Sequence, residues 1–169
     1  LIILLALGGF LLLALLSYHS ADPGWSHTGV GDRIRNLGGS VGAWFADVFL
    51  YLLGVFAFLL PIMVAWSGWL VWKGERETGE LDLRELGLRW LGFALTVLTG
   101  CGLASLHFAS GGLPLDAGGM LGQTSGGLAL SAFGMIGGTL LLLAGFLGGV
   151  TLFTGVSWVR VVDFVGEKT

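Results

Sequence analysis

The sequence predicts an all-α integral membrane protein: a four-transmembrane-helix bundle with an interfacial amphipathic helix on its periplasmic side. Three observations carry this. Residues 1–16, 49–72, 88–108 and 128–156 are apolar runs almost without charge. Each is long enough, or nearly so, to cross a bilayer as a helix, which takes ~20 residues rising ~1.5 Å each. Hydrophobic residues make up 54% of the chain and charged ones only 11%, against about 25% charged in a soluble domain. Finally, tryptophans gather at the ends of the runs: Trp66, Trp69, Trp72, Trp90 and Trp158 towards one side, Trp25 and Trp44 towards the other, as at membrane–water interfaces. Spans of about 1–18, 46–72, 88–109 and 128–156 leave room for one domain over residues 1–169.

The first run reads as a retained span rather than a signal peptide, because Ser17-Tyr18-His19-Ser20 follows it in place of a small-x-small cleavage site. Both ends of the sequence read as cut from something longer. In the long first connection, Asp22-Pro23-Gly24 is a turn: Pro fixes φ, Gly tolerates a left-handed backbone, and Asp can bond the backbone two residues on. Beyond it, Val30, Ile34, Leu37, Val41 and Phe45 recur every three or four residues, with Asp32, Arg33, Arg35 and Asn36 off that stripe. This spacing predicts an amphipathic helix over 29–44, lying on the membrane and running into the second span. The alternative is a loop interrupted by Gly31, Gly38, Gly39 and Gly42.

Pro61 stands in the middle of the second span, where it predicts a kink. Residues 73–89 are the charge-dense segment, and 109–127 is a glycine-rich connection with Asp116 as its one charge. Lys73, Arg76, Arg84, Arg89, Arg160 and Lys168 fall on one side of the bilayer, and only Arg33 and Arg35 on the other. Six against two places the first side, with both termini, in the cytoplasm.

A net charge of −3 without a basic face gives no reason to expect nucleic acid at this segment. Ionisable groups at mid-depth, which transport and intramembrane catalysis use, are missing from the runs. His107 near the end of the third span reads as an interfacial hydrogen-bonder, and Cys101 as a small apolar packing residue. The sequence has no His-Glu-x-x-His, Gly-x-Ser-x-Gly or phosphate-loop pattern. It therefore offers no catalytic residues, no metal ligands and no cofactor site. Asp47, just inside the second span, is the most informative polar residue. It is either an interfacial carboxylate reaching water or an acceptor of hydrogen bonds from the periplasmic helix or the glycine-rich outer loop. Asn36 and Asp47, eleven residues apart, would share one face of a continuous helix. Small residues at four-residue spacing, Gly92/Thr96/Gly100/Ala104 in the third span and Gly134/Gly138 and Gly145/Gly149 in the fourth, are candidate helix-packing faces. No internal repeat is evident.

Ser17-Tyr18-His19 with Asp22-Pro23-Gly24-Trp25-Ser26, and then Asn36-Leu37-Gly38-Gly39-Ser40-Val41-Gly42-Ala43-Trp44-Phe45-Ala46-Asp47, resemble the N-terminal membrane domain of FtsK/SpoIIIE-type DNA translocases. Gly54, Pro61 and Gly118-Gly119-Met120-Leu121-Gly122 also fit. The resemblance covers essentially the whole chain. It implies a multi-pass domain of the bacterial inner membrane, both ends cytoplasmic, that anchors a septal DNA translocase and links cell division to chromosome segregation. It further implies a homo-oligomer in contact with lipid and with other cell-division membrane proteins. DNA, ATP and Mg would belong to a motor domain outside this segment. Asp22, Pro23, Trp25, Asn36, Gly38, Gly42, Ala43 and Asp47 match the family pattern and are carried over as structural or partner contacts. The rival reading is a pore, channel or small transporter formed by several copies.

Overall fold

A computed structural model describes residues 2–29, 33–77 and 83–155. Among them there are helices and no strands: α1 (Ile2–Leu16), α2 (Gly39–Leu53), a 3-10 turn (Gly54–Phe58), α3 (Leu59–Glu77), α4 (Leu83–His107) and α5 (Gly119–Thr154). Three stretches are helical, long and apolar enough to cross a membrane, Gly39–Trp69, Leu86–His107 and Gly119–Thr154, with Ile2–Leu16 a shorter apolar helix.

Two glycines break what would otherwise be very long rods. Gly54 has φ +55° and ends α2, whose last turn it closes by donating to Leu50 O. Gly134 has φ +68° and ψ −179° inside α5, a region essentially confined to glycine. It divides α5 into limbs 119–133 and 135–154. Pro61, expected to kink the second span, is the third residue of α3. Proline is tolerated in the first turn of a helix, and the positive-φ break sits at Gly54 instead.

The structure corrects the expected boundaries in three places. Residues 33–38 form a bend and turn, and helix begins only at Gly39, so 29–44 is not one amphipathic helix. Gly39 has φ +67°, which resets the chain direction in mid-stripe; Val30, Gly31 and Asp32 lie outside the described residues. The connection 109–127 is shorter than expected, because α5 starts at Gly119. The charge-dense segment is partly helical, α3 reaching Glu77 and α4 starting at Leu83. The Lys73 and Arg76 side chains, and Trp158, Arg160 and Lys168, lie outside what is described.

In lipid, helices gain little from apolar burial and associate by close packing. A Cβ on Gly8 of α1 would stand 3.1 Å from Pro61 O and 3.7 Å from Ala65 of α3. Limb 135–154 runs antiparallel to α4 along a ladder of small residues. His107 Nε2 lies 3.0 Å from Thr139 Oγ1. Below it Gly102 meets Leu142, Gly145 meets Thr99, Gly149 meets Thr96, and Gly92 meets Phe153. Thr96 and Thr99 donate their hydroxyls to the Gly92 and Leu95 carbonyls of their own helix, so neither hydroxyl is left unpaired on this face. Limb 119–133 behaves differently. Gly118, Gly122 and Gly126 all meet the short stretch 101–106 of α4, so this limb crosses α4 rather than running beside it. Ala14, Leu15, Ala46, Leu50, Leu53, Ala57, Met63, Phe93, Val97 and Cys101 form the buried core joining α1 to α4.

Contrary to the sequence expectation, the architecture repeats. Asn36, Gly38, Gly39, Gly42 and Gly54 correspond to Asp116, Gly118, Gly119, Gly122 and Gly134, each pair 80 residues apart. Gly38 N donates to Asn36 Oδ1 at 2.8 Å, and Gly118 N to Asp116 Oδ1 at 2.9 Å. Gly39 N donates to Asn36 O, and Gly119 N to Asp116 O. Gly39 and Gly119 have φ +67° and +63°. The preceding helices match at a spacing of 91: Leu16 and His107 are their last residues, and Ala14 and Ser105 receive the turn. The contact of Gly8 with Ala65 is repeated by Thr99 with Gly145. Each half is thus a span, a connection, an Asx-x-Gly-Gly turn, a short helix, a glycine break and a returning span. Crossings alternate, so the two halves face the same way. Gly134 is accordingly a break, with nothing inside the chain within 4 Å of a Cβ, and Gly138 packs on Ala129 of its own preceding limb instead of on the third span.

Candidate functional site

The two halves differ most where the first connection, 17–38, exceeds the second, 108–118, by eleven residues. The extra length carries Asp22 and the partners of a second buried carboxylate, Asp47. Asp22, 3% exposed, closes the connection on itself: its Oδ1 accepts Arg35 N at 2.8 Å and its Oδ2 accepts Asn36 N at 2.8 Å. Asn36 fastens that closed loop to the bundle, donating Nδ2–H to Ala14 O at 2.8 Å. Ser17 Oγ accepts Leu37 N and donates to Leu13 O. His19 Nδ1 accepts Ala21 N, and its Nε2 lies 2.7 Å from Arg35 Nη1. Gly42 leaves room for Asn36, whose Oδ1 would lie 2.6 Å from a Cβ there.

Asp47 is the second fastening. The carboxylate is fully buried on α2, yet every close partner comes from the connection. Oδ2 accepts Ser26 N at 2.6 Å; Oδ1 accepts Ser26 Oγ at 2.9 Å and Tyr18 Oη at 3.4 Å. His27 Nδ1 stands 3.6 Å from Oδ1 and 3.0 Å from Ser26 Oγ. Neither expected reading of Asp47 describes this geometry: the carboxylate does not reach water, and it accepts from Ser26 and Tyr18 early in the first connection, not from residues 29–44 or the glycine-rich outer loop. Gly24 permits it: a Cβ would come 2.5 Å from Oδ2. Burial, then the charges of Asp47 and Asp22, push the Tyr18 phenol up to about 12, so it stays a donor.

Ser26, His27 and Asp47 are the residue types of a hydrolytic triad, but not its arrangement. The serine hydroxyl donates to the carboxylate instead of to an imidazole, and the carboxylate has no open face. The arrangement ties a loop down. Among the described residues no group of three His, Cys, Asp or Glu could hold a metal ion.

Asp22, Asn36, Gly38, Gly42 and Asp47 are brought together in this clasp. Pro23 packs against the turn at Gly29, and Ala43, 3% exposed, belongs to the buried face of α2. Trp25 is more than half exposed and meets Tyr51 edge-on at 5.3 Å. Asn36 and Asp47 do not share a helix face, since Asn36 precedes α2 and its Oδ1 accepts Gly38 N ahead of the helix. Gly92, Gly145 and Gly149 lie on the α4–α5 ladder, whereas Gly100 faces Phe56. Residue-by-residue reasoning missed Tyr18, Gly24 and Ser26 as the partners of Asp47. Their signal was the block Ser17 to Ser26 itself, where a turn brings a glycine and a hydroxyl to one place.

A family model describing the 4TM region of DNA translocase FtsK/SpoIIIE matches residues 1–166. Similar curated proteins include DNA translocase FtsK of Shewanella oneidensis, 43% identical over 173 residues, covering 98% of this chain and 18% of that protein. The FtsK of Vibrio vulnificus is 39% identical, covering 94% and 16%, and that of Pseudomonas aeruginosa 39% identical, covering 99% and 21%. The chain thus spans about a fifth or less of the length of these relatives. No solved structure matches it.

Proposed function

Since the chain belongs to the family of the 4TM region of DNA translocase FtsK/SpoIIIE, we propose that it is the membrane anchor and assembly domain of a septal DNA translocase. It sits in the bacterial inner membrane with both termini in the cytoplasm, and it couples cell division to chromosome segregation. The observation that carries this reading is the clasped connection 17–38. A loop that serves only to join two spans needs no fully buried carboxylate; this one is held in a single shape by Asp22, Asn36 and Asp47. It carries Trp25, Leu37, Val41 and Trp44 exposed on and beside it. On the periplasmic side, such a surface suits other cell-division membrane proteins, while the remaining apolar faces suit lipid and further copies of the chain. DNA, ATP and Mg are handled elsewhere in the full-length protein.

The test is septal recruitment. In cells producing the full-length protein with a fluorescent tag, Asp47→Ala is expected to stay in the membrane but lose enrichment at mid-cell. Full septal recruitment of both Asp47→Ala and Asp22→Ala would remove the assembly role from this surface. A second reading, a pore between copies, draws on the broken helices at Gly54 and Gly134. Ion flux through purified domain in vesicles, lost on Gly134→Leu, would favour it.

A further inference from the structure

The two halves of the chain meet head to tail, and the same junction has an unused half at each end of the molecule. At the internal junction the Gly54 break of the first half receives the Gly-Gly turn of the second. Val55 N donates to Ala117 O at 2.9 Å. A Cβ on Gly119 would strike Gly54 N and Leu52, and the Phe56 ring lies where a Cβ of Gly100 would be. The backbones are closed in there: Ala117 is 1% exposed, and Gly54, Gly100, Gly118 and Gly119 are buried, with the Val55 side chain at the edge of the junction, 40% exposed.

The repeat assigns a counterpart to each of these residues. Gly100, Ala117 and Gly119 correspond to Gly9, Leu37 and Gly39; Gly54, Val55 and Phe56 correspond to Gly134, Met135 and Ile136. The counterparts are open. Gly9, Gly39 and Gly134 have nothing within 4 Å of a Cβ, Leu37 is 72% exposed and Ile136 is 80% exposed. A junction used once inside the chain therefore leaves a complementary pair of unpartnered ends. If the repeat were inverted, those ends would face opposite sides of the bilayer in neighbouring copies. Here both halves face the same way, as do all copies inserted in one membrane, so the ends are presented to each other at one depth.

We propose that a second copy of this chain docks head to tail, its Gly9–Leu37–Gly39 surface on the Gly134–Met135–Ile136 break of its neighbour, reproducing the junction between the halves. The contact is heterologous: each copy offers one face and uses the other. It closes into a ring where the rotation per copy permits. This rests on the reading above that copies assemble in the membrane, and names the surfaces by which they do so.

Disulfide capture in native membranes tests it, with Leu37→Cys and Met135→Cys as the counterparts of the Ala117–Val55 pair; both positions are exposed, and buried Cys101 stays in place. The double variant is expected to give a ladder of oxidant-dependent oligomers. The two single variants produced together are expected to give dimers and nothing larger, and either alone only monomers. Leu37→Glu, in the turn and outside the helices, is expected to abolish the oligomers seen in mild detergent. Self-linking of one single variant as strong as the mixture would mean a two-fold contact and overturn the proposal. Oligomers that persist without any 37–135 link would overturn this interface while leaving assembly standing. Monomers throughout, in the parent chain as well, would overturn both.

Discussion

Replacing Asp47 by alanine removes the acceptor for Ser26 N, Ser26 Oγ and Tyr18 Oη at once. Two of these bonds are short, at 2.6 and 2.9 Å, and the third is long at 3.4 Å. A hydrogen bond to a charged group contributes about 1.5–3 kcal/mol, so the two short ones together set a loss of about 3–6 kcal/mol. Part of this is recovered, because the freed connection can open to water and satisfy Ser26 there. We expect the clasp to weaken by about 3–4 kcal/mol, which at ~1.4 kcal/mol per factor of ten is a few hundred-fold in the opening equilibrium. Asp47→Asn keeps one acceptor oxygen but turns an amide donor towards a donor, and falls between alanine and the parent. The assay is cleavage of residues 19–35 by a dilute protease in lipid nanodiscs, where the rate follows the population of the opened loop. Cleavage rates for Ala and Asn variants within twofold of the parent would refute the reasoning, for the carboxylate would then hold nothing.

Other outcomes follow from the same geometry. Gly24→Ala places a Cβ 2.5 Å from Asp47 Oδ2; it is expected to cost about 1–3 kcal/mol as overpacking does and to raise cleavage of the same loop, though no polar group is replaced. Tyr18 has its phenol raised to about 12 from the ordinary 10.0, so its contribution is complete below pH 10 and is lost as pH climbs from 10 towards 12. Phenolate absorbance should show one late-titrating tyrosine, absent in Tyr18→Phe, and loop cleavage should rise over the same interval in the parent only. Gly148 and Gly149 are adjacent, but a Cβ on Gly148 meets nothing whereas one on Gly149 comes 2.6 Å from Thr96 Oγ1. Gly148→Ala should therefore be neutral or stabilise by about 0.5–1 kcal/mol, and Gly149→Ala should lower the detergent unfolding midpoint.

Membrane residence was legible because length and apolarity act locally: α1 and α4 lie close to where the runs placed them. The 29–44 helix was not, because the stripe from Ile34 to Phe45 continues across Gly38-Gly39, and three-to-four spacing does not register a backbone that changes direction at φ +67°. The early start of α5 was hidden by its glycines, which read as loop but serve close approach to Cys101 and Gly102. The repeat was hidden for a different reason. Only the turn and break positions are kept, the apolar residues between them differ, and the two connections differ in length, so no single period runs through the chain. In the candidate site, Asp22, Asn36 and Asp47 stood out as polar residues at an apolar border. Their pairing depends on a turn that brings Ser26 back over α2, and spacing alone does not determine that.

The glycine breaks also bear on the thickness of the membrane this domain can occupy. The stretches Gly39–Trp69 and Gly119–Thr154 have 31 and 36 residues. As straight rods they would be about 46 and 54 Å long at ~1.5 Å per residue, well beyond a hydrocarbon layer of ~30 Å. Rods that long would have to tilt steeply or thicken the bilayer around them. Folding each at Gly54 or Gly134 turns the excess into a short helix crossing the end of the bundle, and leaves a returning span near the bilayer's own dimension. Hydrophobic mismatch is thereby absorbed at two backbone positions instead of by the lipid. A domain built this way has little hydrophobic excess left to sort it by membrane thickness.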